Sequence, residues 1–267
     1  MIYLRRIVIL WACGLLVSTG WNLSEAAESA DQRGLQIATE VDTRDRGWSD
    51  MTAVLEMVLR NSQGQESHRE LRLRSLEMAA DGDQTLTIFD APRDIAGTAL
   101  LSYTHALQAD DQWLYLPALK RVKRIASANK SGPFVGSEFA YEDLTSSELA
   151  KYRYRWLRDE TLDQRTTYVL EETPAYEYSG YTRRVVWIDK DMLQPLKVEF
   201  YDRKDALLKT LTLTDFHQYL EHYWRPSTMS MVNHQTGKRT DLTWSNYAFK
   251  TGLTTRDFDQ ATLQRIR

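Results

Sequence analysis

The sequence predicts a mainly β fold, a curved antiparallel sheet covered by a few short helices. About eleven runs rich in β-branched and aromatic residues stand against three short helical stretches. Short turn-forming segments join the runs, without the helical crossovers that parallel strands need. No Pro/Gly/Ser-rich linker divides the chain, so residues 27–267 read as a single domain.

Residues 28–43 place Leu35, Ala38 and Val41 at helical spacing and predict a short amphipathic helix lying across the sheet. Residues 51–60 set Leu55, Met57 and Leu59 on one side of a strand, and residues 61–64 turn it into a second, 70–78. There Leu71 and Leu73 share one parity and Leu76 and Met78 the other, so a bulge near Ser75 would bring all four to one face. Residues 85–89 form the next strand, closed by Pro92, and 98–107 another. Residues 145–151 begin with the capping-box pattern Thr145…Glu148 and predict a short helix. Strands follow over 152–158, 166–172, 183–189, 195–202, 207–216, 222–233 and 240–249. In the run 207–216, Leu207, Leu211 and Leu213 hold one parity while Thr210, Thr212 and Thr214 hold the other. A last short helix after Asp259 has Leu263 and Ile266 as its apolar contacts.

The chain is organised around residues 110–144. Trp113 and Tyr115 alternate with Leu114 and Leu116, the period of a strand with one wet and one dry side, and Pro117 ends it for want of an N–H. Lys120, Arg121, Lys123, Arg124 and Lys130 follow with no acid among them, a long, mobile, basic surface loop. Glu138, Glu142 and Asp143, interleaved with Phe139 and Tyr141, stand close enough in the chain to pin that loop back on itself. The clustered cations suit an acidic partner protein or anionic lipid headgroups; a solvated charged loop is the plainer alternative.

Residues 113–125 (WLYLPALKRVKRI) and 136–143 (GSEFAYED), with Asp45-Arg46-Gly47, Gly97-Thr98, Ser179-Gly180-Tyr181 and residues 231–237 (MVNHQTG), resemble the outer membrane lipoprotein-sorting proteins, a LolA-like bacterial family. The resemblance spans nearly the whole mature chain. It implies a periplasmic, unclosed half β-barrel of the LolA/LolB kind, capped by helices, whose apolar concave side accepts acyl chains of a lipid or lipoprotein for transfer towards the outer membrane. It also implies that some members work beside inner-membrane RND-type exporters. Lipid-anchored receptors of this fold keep a cysteine at the mature N-terminus, and the cysteine-free mature chain matches a soluble, monomeric member.

Export has its own signal. Arg5 and Arg6, the apolar residues 7–17 and Ser24-Glu25-Ala26 make a secretory signal peptide over residues 1–26. Its apolar run is shorter than the roughly 20 residues of a spanning helix, the alternative reading. Cys13, the only cysteine, sits inside it, so the mature chain has neither disulfide nor thiol chemistry. Without Arg5, Arg6 and Glu25 the formal charge moves from −3 to −4, which does not suit a nucleic-acid binder. There is no Gly-x-Ser-x-Gly elbow, His-Glu-x-x-His helix or phosphate-cradling glycine loop, so no catalysis and no cofactor are expected. His217 and His222 have no metal-ligand spacing, and the Glu138, Glu142 and Asp143 cluster lacks that of a calcium loop, so no metal is expected either.

A curled sheet must bury its concave side or leave it wet, and three short helices cover little. Either the interior is packed solid, or it keeps an apolar hollow. Burying a dozen methylenes of one acyl chain in a hollow would gain on the order of 10 kcal/mol before ordering costs. The residues expected to line it are Leu55, Met57, Leu59, Leu71, Leu73, Leu114, Leu116 and Phe139, with Trp113 at the mouth beside the basic loop; Met51, Met57, Met78, Met192, Met229 and Met231 could make it adaptable. The second functional reading is a non-enzymatic accessory or sensor module docking on an RND-type exporter through Lys120, Arg121, Lys123, Arg124 and Lys130.

Overall fold

The computed structural model describes residues 28–265 apart from Ala80, Leu107 and Ser147. The expected signal peptide, with Cys13, and Ile266 lie outside the described residues. The chain opens with helix α1 (Ala30–Arg44), whose first turn is closed by a capping box between Ser29 and Gln32. Six strands follow: β1 (Asp50–Arg60), β2 (Glu66–Leu76), β3 (Gln84–Ala91), β4 (Ala99–Tyr103), β5 (Asp111–Leu116) and β6 (Arg121–Arg124). Seven more come after residue 151: β7 (Tyr152–Leu162), β8 (Arg165–Pro174), β9 (Tyr181–Asp189), β10 (Pro195–Asp202), β11 (Leu207–Tyr219), β12 (Tyr223–Asn233) and β13 (Arg239–Phe249).

All thirteen make one antiparallel sheet in the order β6-β5-β4-β3-β2-β1-β13-β12-β11-β10-β9-β8-β7. The first and last strands pair in its middle, Met57 opposite Leu242. The free edges, β6 and β7, come from the middle of the chain, and residues 125–151 run between them; we call this segment the strap. One apolar cluster unites Leu55 and Met57 of β1 with Leu71 and Leu73 of β2, Leu170 of β8, Val186 of β9 and Val198 of β10. Side chains from strands so far apart in the strip can meet only on the inside of a curl, so the sheet is an unclosed half-barrel and this cluster marks its concave face.

α1 lies on the concave side against β7. A Cβ on Gly34 would stand 2.7 Å from the backbone nitrogen of Trp156, so glycine lets the helix touch the strand backbone there. The helix buries Gly34, Ile37 and Ala38, while Leu35, expected in the apolar stripe, is 50% exposed.

Three expectations are corrected. Strands β1 and β2 pair without interruption from Asp50–Leu76 to Arg60–Glu66; the register shift between β2 and β3 falls at Glu70 and Leu71, with the extra residue on β3, and not near Ser75. Leu76 and Met78 thus keep the opposite parity and join Leu86, Ile88, Leu101 and Tyr115 in a second, convex-side cluster, covered by Phe258 and Leu263 of the C-terminal segment. Among the described residues of 145–151 there is no α-helix: Thr145 donates its hydroxyl to the Glu142 carbonyl, and Leu149–Lys151 makes a 3-10 turn as the chain stretches towards β7. Arg121–Arg124, expected within a loop, is an edge strand paired with β5.

Candidate functional site

The strap fills much of the concave face. Its Ile125, Phe134 and Phe139 belong to the inner cluster, with Phe134 tilted against Phe89 at 5.6 Å. Leu55, Met57, Leu71, Leu73, Leu114 and Phe139 are brought together there and buried, and Leu59 and Leu116 pack against them. At 4%, 2% and 1% exposure Leu55, Met57 and Leu71 have no room beside them for hydrocarbon while the strap is seated. Trp113 does not join them. It faces the convex side, edge-on to Tyr103 at 5.0 Å, so no mouth opens beside it. The methionines divide as well: Met57, Met231, Met51 and Met229 belong to the inner cluster or pack on it, Met78 to the outer one, and Met192 is buried at the β9–β10 turn.

Polar bonds hold the strap down. Lys209 of β11, 3% exposed, donates to the Glu138 carbonyl at 2.8 Å and to the Asp143 carboxylate at 2.6 Å; Tyr181 donates to Asp143 at 2.8 Å. Glu138 receives the Asn233 amide at 2.7 Å, and its N–H donates to Thr240. Glu142 accepts from Tyr176, Ser179 and the Gly180 N–H at 3.0, 3.0 and 2.8 Å. A Cβ on Gly180 would meet that carboxylate at 2.8 Å. Burial pushes the Glu142 carboxyl above its ordinary value and the Asp143 charge adds to the push, while the three donors pull it part of the way back.

These contacts overturn the expected pairing of acids with the basic segment. Glu138, Glu142 and Asp143 bind β8–β13 and their connections, and Arg124 pairs with Asp111 instead. Lys130 is no docking residue: it is buried, donates to the Asp110 carbonyl at 2.5 Å and, with Lys151, neighbours the Asp110 carboxylate. The segment around it is therefore tied down and not a free surface excursion.

The motif residues 136–143, 179–181 and 233 are thus strap and sockets. Lys209 was missed from the sequence although it had a signal, an ionisable side chain on the apolar parity of Leu211 and Leu213.

At the other end of β11 and β12 the cover is helix α1. The His222 ring Nε2–H donates to the Arg44 carbonyl at 3.0 Å, the Tyr223 hydroxyl donates to the Arg46 carbonyl at 3.1 Å, and Arg225 donates to Asp45 at 2.6 Å. The helix is tied at its C-terminal end to the β11–β12 turn and near its N-terminal end to β7. Beside the tie at the β11–β12 turn, on β11 and β13, Tyr219, Trp244, Tyr247 and Phe249 form an aromatic band; Trp244 stacks on Tyr247 at 5.9 Å and an interplanar angle of 10°. Trp244 and Met229 pack on the inner cluster, yet both, like the rest of the band, are only half-buried. The buried indole nitrogen of Trp244 has no hydrogen-bond partner among the described residues. Outside α1 an open groove of about 900 Å³ runs between Gln32, Leu35, Thr39 and Thr43 and the β9–β10 turn at Lys190–Leu193. Among the described residues no three His, Cys, Asp or Glu side chains converge as a metal site.

The chain is 58% identical to an outer membrane lipoprotein-sorting protein domain from Vibrio parahaemolyticus, with 88% of this chain and 100% of that one covered at a TM-score of 0.87. A DUF1329 family protein from Desulfovibrio piger matches at 28% identity over 88% and 99% of the chains, TM-score 0.84. A LolA superfamily protein from Nitrosomonas europaea, 20% identical over 85% and 98% with a TM-score of 0.69, shares the fold. A protein-family profile described as an uncharacterized protein matches residues 81–265, and no curated protein matches. The chain belongs to the family of that outer membrane lipoprotein-sorting protein domain, on a fold shared with the LolA superfamily protein.

Proposed function

We propose that this protein is a non-enzymatic periplasmic carrier that shelters the acyl chains of a lipid or lipidated protein on its concave face for transfer towards the outer membrane. The observation that carries the reading is the half-buried band of Met229, Trp244, Tyr247 and Phe249 beside a helix tied at its two ends. An apolar surface that the protein's own chain leaves incompletely covered is where hydrocarbon gains most by leaving water. The indole N–H of Trp244 offers a donor to a carbonyl of the cargo. Leu55, Met57, Leu71, Leu73, Leu114 and Phe139 become part of the lining when the strap yields, and act as core when it is seated.

Native mass spectrometry of the mature protein incubated with palmitate and with lysophospholipid tests this. One acyl chain retained per protein is expected, with retention reduced at least tenfold by Trp244→Ala combined with Met229→Ala. A folded wild-type protein that takes up neither lipid would overturn the carrier reading.

A further inference from the structure

The turn between β5 and β6 has an exposure and charge that the carrier site does not use. Pro117–Leu119 makes one 3-10 turn, closed by Lys120 in the left-handed conformation with its N–H on the Pro117 carbonyl. Leu119 at its apex is 63% exposed. Leu116 of β5 is opposite Arg121 of β6 and Leu114 opposite Lys123, so these two cations share the concave parity of Leu114 and Leu116 and stand on the inner lip of the sheet's free edge. Val122 takes the other parity and packs on the convex cluster. Among the described residues Lys120, Arg121 and Lys123 have no carboxylate partner; only Arg124 does, in Asp111.

We propose that this lip is a docking surface for a bilayer containing anionic phospholipid, with Leu119 entering the headgroup region and Lys120, Arg121 and Lys123 meeting the phosphates. In a mature chain of formal charge −4, three uncompensated cations beside one exposed leucine complement a negatively charged interface, to which each cation near the surface adds about fivefold in partition. A protein partner fits less well. Four strand residues and a one-turn apex fall short of the roughly 1,000 Å² that a specific protein interface needs. Docked this way, the gap between β6 and β7 faces the bilayer and the apolar face lies one strand behind the lip. The inference rests on the carrier reading in naming the membrane as the place of exchange, but vesicle binding is read without cargo, so the two fail separately.

The experiment is flotation of the mature protein with vesicles of pure phosphatidylcholine and of phosphatidylcholine with about a third phosphatidylglycerol. The protein is expected to float with the anionic vesicles only, and to be released as salt approaches about 1 M, where charges are screened beyond about 3 Å. Arg121→Glu with Lys123→Glu is expected to lower the partition at least about 30-fold, and Leu119→Ser by a smaller factor. All three positions are exposed, and an unchanged thermal transition confirms the fold of each variant. Wild type that stays with the soluble fraction, or a doubly reversed variant that floats as well as wild type, overturns the proposal. Loss of capture of an acidic envelope protein in the reversed variant, with no vesicle binding by wild type, overturns it in favour of a protein partner.

Discussion

Strands β11 and β12 are covered at both ends, but by different chemistry. At one end, where Lys209 and Asn233 sit, the strap is held by a buried lysine, two carboxylates and several hydroxyl and amide donors, and its aromatic rings are enclosed. At the other end, helix α1 is tied at Asp45, the Arg44 and Arg46 carbonyls and the Gly34 crossing, and the nearby aromatic rings remain half-buried. Buried polar bonds cost much to break one at a time, because each lost partner leaves another group dry and unsatisfied. Helix α1 is held by the apolar burial of Ile37 and Ala38 and by the ion pair at Asp45, with fewer buried polar bonds to break. The same concave face is therefore enclosed at one end and only half-covered at the other.

The largest effect should come from the sealed end. Asp143→Ala leaves the buried Lys209 ammonium without its carboxylate partner, so urea denaturation should show a loss of about 3–5 kcal/mol. A loss under about 1 kcal/mol would mean that the strap lifts readily and that the contrast between the ends is false. At the helix end, Gly34→Ala separates two opposed effects. Alanine favours an isolated helix by about 1 kcal/mol, but here its Cβ meets the β7 backbone, so a net loss of about 1–3 kcal/mol is expected together with faster amide exchange in α1. A gain in stability would show that the helix is not held against β7. The smallest effect is the pH response of the strap. The Glu142 carboxyl is raised above its ordinary 4.5, so the folded state takes up this proton before the unfolded state does. Its contribution is therefore present below the ordinary value and is lost as pH rises through the raised one. The stability difference between wild type and Glu142→Gln should accordingly shift in favour of wild type as pH falls through that window, measured by urea midpoints at successive pH values.

Much of the sheet was legible because alternation is a local signal. The strands from β7 onward lie close to where β-branched and aromatic runs placed them, and the opposed parity of Leu71 and Leu76 was correct before a bulge was invoked to remove it. That step assumed one buried face, whereas the C-terminal segment supplies a second. β6 was hidden because a four-residue edge strand with three cations has no apolar alternation to read. The strap's sockets were hidden for another reason: Glu142 meets Ser179, and Asp143 meets Lys209, 37 and 66 residues away in the chain, and neither spacing has a local period. The residues Leu55, Met57, Leu71 and Leu73 were correctly assigned to one face, but sequence cannot tell a lining from a core when the filler is another part of the same chain.

Pairing β1 with β13 gives the molecule its seam. The sheet cannot be joined across its centre until the final strand is available, so nearly the full length of chain must be present before the two wings meet. A polypeptide assembled in that way keeps its two wings unjoined until the last strand is made.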